Sequence, residues 1–196
     1  GNLIAIVDAL NFRSEFEYDA LNRMTKSIDP FGKSSTLAYD AEGRLLEVVD
    51  KLGRKTSYQY DARGRRTAQI DALGGLTQFI HDDDNNLVQT IDENGHGTFY
   101  EYDQRNRLVK ETDALGNART YVYDAANQLL SQTDELGRAT SYEYDELGRT
   151  TAIIDPLLQV KRMEYDEAGN LTKNIDVLGR ETVSVYDDRN RRVQVI

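Results

Sequence analysis

A Tyr-Asp pair returns every 21 residues along this chain, at Tyr18-Asp19, Tyr39-Asp40, Tyr60-Asp61, Tyr102-Asp103, Tyr123-Asp124, Tyr144-Asp145, Tyr165-Asp166 and Tyr186-Asp187, with His81-Asp82 in the slot that lacks Tyr. A period held without a slip confines the chain to repeat architectures, in which each unit finds its partners in the units beside it. A second Asp keeps the same spacing, from Asp8, Asp29 and Asp50 to Asp155 and Asp176, usually followed three residues later by Gly. Repeated turn chemistry therefore accounts for most of the acidity behind the net charge of -10, which does not by itself call for a basic partner. No Lys/Arg stripe with interleaved aromatics stands out to neutralise phosphates, which argues against a nucleic-acid ligand. No apolar run reaches the roughly 18 residues of a membrane span, and no signal peptide opens the chain. Gly1-Asn2-Leu3 is in phase with Gly169-Asn170-Leu171 and Ile196 with Ile175, so both ends fall inside a repeat and an excerpt of a longer protein is expected. There is no cysteine, hence no disulfide framework and no thiolate metal site.

Each repeat reads as two short strands and two turns. After the Tyr, four residues follow Asp-x-x-Gly/Asn, as in Asp40-Ala41-Glu42-Gly43, Asp61-Ala62-Arg63-Gly64 and Asp145-Glu146-Leu147-Gly148. The fourth position is Asn22, Gly43, Gly64, Asn85, Asn106, Asn127, Gly148, Gly169 or Asn190, the two residue types that enter a left-handed backbone at little cost. With Asp accepting from the turn's own amides, the pattern predicts a type I turn closed by a left-handed residue, a hairpin connection with a bulge. The second turn follows the same rule in Asp50-Lys51-Leu52-Gly53 and Asp134-Glu135-Leu136-Gly137, whereas Leu158 stands where Gly is expected. A left-handed Leu costs about 1 kcal/mol, so the Pro156 turn is expected to take another geometry.

Between turns, Thr56-Ser57-Tyr58-Gln59-Tyr60 and Thr140-Ser141-Tyr142-Glu143-Tyr144 alternate with a period of two, the pattern of a strand. Phe16, Leu37, Tyr58, Phe79, Tyr100, Tyr121, Tyr142 and Met163 should form one ladder and the Tyr-Asp tyrosines the next. The return strand reads less cleanly, with Leu45, polar Glu47 and Val49 in one phase. No apolar helical stripe occurs, so the chain reads as all-β: an antiparallel meander of about nine repeats over residues 1–196. Twisted open sheets rarely exceed about 10 strands without curling or splitting, and a spiral or hollow-shell segment is the expected outcome.

Tyr39-Asp40-Ala41-Glu42-Gly43-Arg44-Leu45, and Asp134-Glu135-Leu136-Gly137 continuing into Thr140-Ser141-Tyr142-Glu143-Tyr144-Asp145, resemble the RHS (YD) repeat almost letter for letter. The resemblance covers the whole chain. It implies a β-strip wound into a shell, as in bacterial Rhs and polymorphic toxins, the C component of insecticidal toxin complexes and teneurins. In toxin members such a shell encloses a C-terminal effector until delivery, which would make this chain part of an exported, secreted or surface bacterial protein. The Asp-Pro-x-Gly-Leu segment of self-cleaving members is not found, and Asp29-Pro30-Phe31-Gly32 is a turn. The repeat positions carried by the resemblance are structural: the Tyr-Asp pairs above together with Gly43, Gly64, Gly148 and Gly169.

No catalytic, cofactor or metal site is assigned. The carboxylates follow turns, and paired acids of the hydrolase kind are better read as caps. His81 occupies a Tyr slot and His96 follows Gly95, in unrelated phases that do not make a zinc site. Asp82-Asp83-Asp84-Asn85 is the most plausible stretch for calcium but matches no EF-hand. Arg23, Arg44, Arg65, Arg107, Arg149 and Arg191 follow the left-handed residue and are expected to pair with Asp residues of neighbouring repeats across the sheet. The functional expectation is a non-enzymatic shell section whose partners are other repeats and an enclosed passenger. The alternative is an adhesion or glycan-binding surface using the tyrosines, and open sheet edges would also allow edge-to-edge self-association.

Overall fold

The computed structural model describes residues 1–196 and contains 19 strands and no helix. Two compact halves, Gly1–Phe99 and Tyr100–Ile196, are described separately. The first half holds β1 Ala5–Val7, β2 Arg13–Tyr18, β3 Met24–Ile28, β4 Ser34–Tyr39, β5 Leu45–Val49, β6 Lys55–Tyr60, β7 Arg66–Ile70, β8 Leu76–His81 and β9 Leu87–Ile91. β10, Gly97–Tyr102, carries the boundary. The second half continues with β11 Leu108–Thr112, β12 Ala118–Tyr123, β13 Leu129–Thr133, β14 Ala139–Tyr144, β15 Thr150–Ile154, β16 Val160–Tyr165, β17 Leu171–Ile175, β18 Glu181–Tyr186 and β19 Arg192–Val195. Within each half every strand pairs antiparallel with its chain neighbour, which is the up-and-down meander that two turns per repeat dictate.

Both turns fold alike. In the Tyr-Asp turn the Asn22 amide donates to the Asp19 carbonyl at 3.0 Å and the Asp19 amide to the Arg23 carbonyl at 3.0 Å. The second turn repeats this with Gly53 on Asp50 at 2.9 Å and Asp50 on Arg54 at 3.0 Å. The fourth residue has positive φ in all nine Tyr-Asp turns, for example 62° at Asn22 and 88° at Gly43. Leu158 corrects an expectation: it too is left-handed, φ 63°, in a turn like all the others. Asp155 Oδ1 accepts from the Leu157 and Gln159 amides, at 2.8 Å each, and the Leu158 amide reaches the Asp155 carbonyl at 2.9 Å. Pro156 pre-sets the φ that this turn needs at its second position, and Leu158 is 81% exposed, so nothing crowds its side chain. The turn's hydrogen bonds outweigh the local strain.

The return strand is also corrected. Opposite the Tyr-Asp strand, Ala38 faces Glu47 but Tyr39 faces Leu45, so one extra residue, Leu46, is accommodated between them. The same shift occurs at Gln59/Tyr60 and Glu143/Tyr144. A bulge re-aims side chains: Leu45 joins the face of Tyr39, while Glu47 and Val49 lie opposite Ala38 and Thr36 on the other face. Simple alternation could not reveal this.

No conventional core forms. Ala68, at 6% exposure, and Ala152, at 0%, are the only buried apolar residues. Six-residue strands alternate half-buried and exposed positions, as in Phe16 and Tyr18 against Glu15 and Glu17. The second face is wet and ion-paired, with Lys26 bonded to Glu17 at 3.1 Å and, at the same repeat position, Lys110 to Glu101 at 2.9 Å.

Candidate functional site: the clasp between repeats

The side chains of the repeat positions cluster where one Tyr-Asp turn meets the next. Asp61 Oδ1 accepts from the amides of Arg63 and Arg65, each at 2.9 Å, and its Oδ2 accepts Arg65 Nε at 2.7 Å. Asp103 and Asp145 do the same with Arg107, at 2.7 Å, and Arg149, at 2.6 Å. This locates the Arg row differently from the sequence expectation. The carboxylate partner belongs to the Arg's own turn, because the left-handed residue brings position five back beside position one. The neighbouring repeat supplies a backbone carbonyl instead: Arg23 Nη1 donates to Asp40 O at 2.9 Å, Arg107 to Asp124 O at 2.7 Å and Arg149 to Asp166 O at 2.9 Å.

The next repeat's tyrosine closes the arrangement. The guanidinium of Arg23 lies 4.8 Å from the ring centre of Tyr39, Arg107 4.8 Å from Tyr123 and Arg149 4.8 Å from Tyr165, distances of a cation–π contact. The hydroxyls of Tyr39, Tyr60 and Tyr165 donate backwards to main-chain carbonyls of the preceding repeat, to Met24 O at 3.1 Å, Leu45 O at 2.8 Å and Thr150 O at 2.9 Å. Tyr18, Tyr144 and Tyr186 reach Leu3, Leu129 and Leu171 in the same way. At the Arg23–Tyr39, Arg44–Tyr60 and Arg149–Tyr165 clasps one hydrogen bond therefore runs forward and one runs back. Where Arg is replaced, Asn86 and Asn170 still hold their Asp through Nδ2 at 2.9 Å, and Asn170 adds a bond to Asn190 Oδ1 at 3.0 Å. His81 fills its Tyr slot as a half-buried strand residue.

Electrostatics agree with a bracing role. The amide of Arg65, against opposing desolvation, and then its guanidinium hold the Asp61 carboxyl below the usual carboxylate range. The Arg107 guanidinium leads the same downward shift at Asp103. Carboxylates held in this direction stay ionised, the opposite of what a general acid needs at neutral pH. The tyrosines under guanidinium are likewise not free platforms for a sugar. The acidic run is not gathered round a point: Asp82 caps its own turn through Asn86 at 2.8 Å, whereas the Asp83 side chain is fully exposed, 3.5 Å from Arg63. His96 braces Asp92 through Nδ1 at 3.1 Å.

Sequence reasoning missed the second-turn cations. Arg54, Arg138 and Arg180 bond Asp50, Asp134 and Asp176 through Nε at 2.6, 2.7 and 2.6 Å. Their signal was available: a cation four residues after the turn's Asp.

The RHS Repeat family model matches residues 1–34, 39–76, 81–118 and 123–157, well over half of the sequence. This chain belongs to the RHS-repeat family. No curated protein matches its sequence. Among solved structures, a TcdB2-TccC3-TEV crystal structure aligns with a TM-score of 0.40 and 16% identity over 94% of this chain and 15% of that one. The Tc holotoxin pore of Photorhabdus luminescens gives 0.37 and 16% over 94% and 15%. A porin-like protein from Bacteroides uniformis gives 0.37 and 11% over 98% and 91%. The chain thus spans under a sixth of the toxin chains it aligns with, and family membership rests on the repeat, not on these likenesses.

Proposed function

We propose that residues 1–196 are one array of RHS repeats forming a section of a non-catalytic β-shell, and that the longer, exported bacterial protein to which they belong uses the shell to enclose a C-terminal effector. The observation that carries this reading is the clasp. Hydrogen bonds run both ways between successive repeats while only Ala68 and Ala152 are buried, so cohesion lies along the strip and not in a core. Within each half, a sheet held in this manner suits a wall, with two usable faces. Its work is exclusion: a passenger on one side is kept from solvent and proteases on the other.

Limited proteolysis of the native full-length protein, read by mass spectrometry, tests the proposal. A C-terminal segment that survives until the repeats are denatured is the expected result. Immediate digestion of everything outside the repeats overturns enclosure.

A further inference from the structure

The two rims of the sheet, formed by its two sets of turns, differ in a way that the fold does not require. At the third position of the second turn the first half carries Leu10, Phe31, Leu52 and Leu73, exposed by 77, 79, 68 and 97%. The second half carries Leu115, Leu136, Leu157 and Leu178, exposed by 88, 75, 77 and 72%. Asn94 stands at this position between the two runs. On the other rim the equivalent position includes Glu42, Arg63, Asp84, Arg105 and Arg189. Both turns have the same hydrogen bonds, and the third residue contributes its backbone amide to Asp Oδ1 in each, Leu52 at 2.8 Å and Arg63 at 2.9 Å. Turn geometry therefore accepts a charged residue there and gives no reason for leucine. Surface apolar residues scattered singly need no explanation, but a row at fixed spacing marks contact with something.

We propose that this leucine rim docks against the same rim of a second copy of the chain. Successive leucines are two strands apart, roughly 9.6 Å, and the partner that matches such a spacing over four repeats is one built on the same repeat. A two-fold pairing lets each row seat between the knobs of the other. The rim's own charges oppose it only in part, because Asp29, Asp50, Asp134 and Asp176 are paired with Lys51, Arg54, Arg138 and Arg180, whereas Asp113 and Asp155 are held by uncharged groups. At on the order of 100 Å² of apolar surface per leucine, two facing rows of four withdraw roughly 800 Å² from water, short of the ~1,000 Å² of a stable specific interface and in the range of a weak, transient one. A reversible dimer follows. Because both copies carry a net charge of -10, added salt strengthens it by screening. This inference uses a different surface from the clasp and does not depend on a passenger.

Sedimentation equilibrium of the 196-residue chain, at low and high salt and up to ~1 mM, tests it. The expected result is a monomer–dimer equilibrium that tightens with salt. Leu115→Ser, Leu136→Ser, Leu157→Ser and Leu178→Ser combined should weaken it at least tenfold, while Leu21→Ser with Leu147→Ser on the other rim leaves it unchanged. Circular dichroism confirms that the variants remain folded, and the single changes Leu136→Ser and Leu157→Ser give the same trend in smaller steps. A monomer at every concentration overturns the proposal, as does dimerisation that stays undiminished when Leu10, Phe31, Leu52 and Leu73 are changed to Ser as well, which would move the contact to the open strand edges.

Discussion

Asp145 to Arg149 and Asp134 to Arg138 spell the same turn, Asp-Glu-Leu-Gly-Arg, yet they differ in what the arginine reaches. Arg138 bonds Asp134 and stays 60% exposed, whereas Arg149 also donates to Asp166 O, lies over Tyr165 and is 26% exposed. One sequence motif is thus a local brace at one rim and a joint between repeats at the other. What separates them is the next repeat's contribution, a tyrosine ring and a carbonyl. Local sequence writes the turn, and the period decides whether that turn is connected.

The largest effect should come from acid, which attacks both rims together. Asp61, whose carboxyl is held low chiefly by the Arg65 amide, and Asp134, held low chiefly by the Arg138 guanidinium, have folded pKa values below their unfolded ones. Their stabilisation is therefore present above about pH 4 and is lost as pH falls through the folded values. Urea midpoints should drop steeply between about pH 5 and pH 2.5, and midpoints that do not move would remove the carboxylates from the account of stability. Loss should also be greater for Asp145→Asn than for Asp134→Asn at neutral pH, because only the former loosens a joint.

A middle effect should separate two glycines. Gly148→Val places a Cβ 3.1 Å from Gln128 Nε2 at φ 80°, while Gly137→Val meets nothing within 4 Å at φ 76°. Both should destabilise by about 1 to 2 kcal/mol from left-handed strain, with Gly148→Val the worse in urea melts. Equal effects would show that strain alone matters. The smallest effect distinguishes the tyrosine rows: Tyr165→Phe removes the 2.9 Å bond to Thr150 O and should cost about 1 kcal/mol, while Tyr142→Phe should leave the midpoint unchanged. Identical midpoints for both variants would remove the hydroxyl from the clasp.

Much of this was legible in the sequence because turn chemistry is local. All nine Asn or Gly positions after the Tyr-Asp pair are left-handed, as residue type alone required. Leu158 defeated the same reasoning, since residue preference ignores the bonds that Asp155 collects from Leu157 and Gln159. The extra residue at Leu46 was hidden because a bulge changes phase without leaving a composition signal. Across the clasp, the sequence gives the period of Arg23 and Tyr39 but not that the guanidinium turns back to Asp19 while touching the next repeat's carbonyl.

Because each forward and backward bond of the clasp links a residue only to the repeat beside it, the joint carries no record of its place in the chain. Removing or adding a whole repeat leaves every remaining joint with the partners it needs, whereas a change of one residue puts Arg, Tyr and carbonyl out of step. Such a protein can vary in length by whole repeats during its history, with its grammar intact.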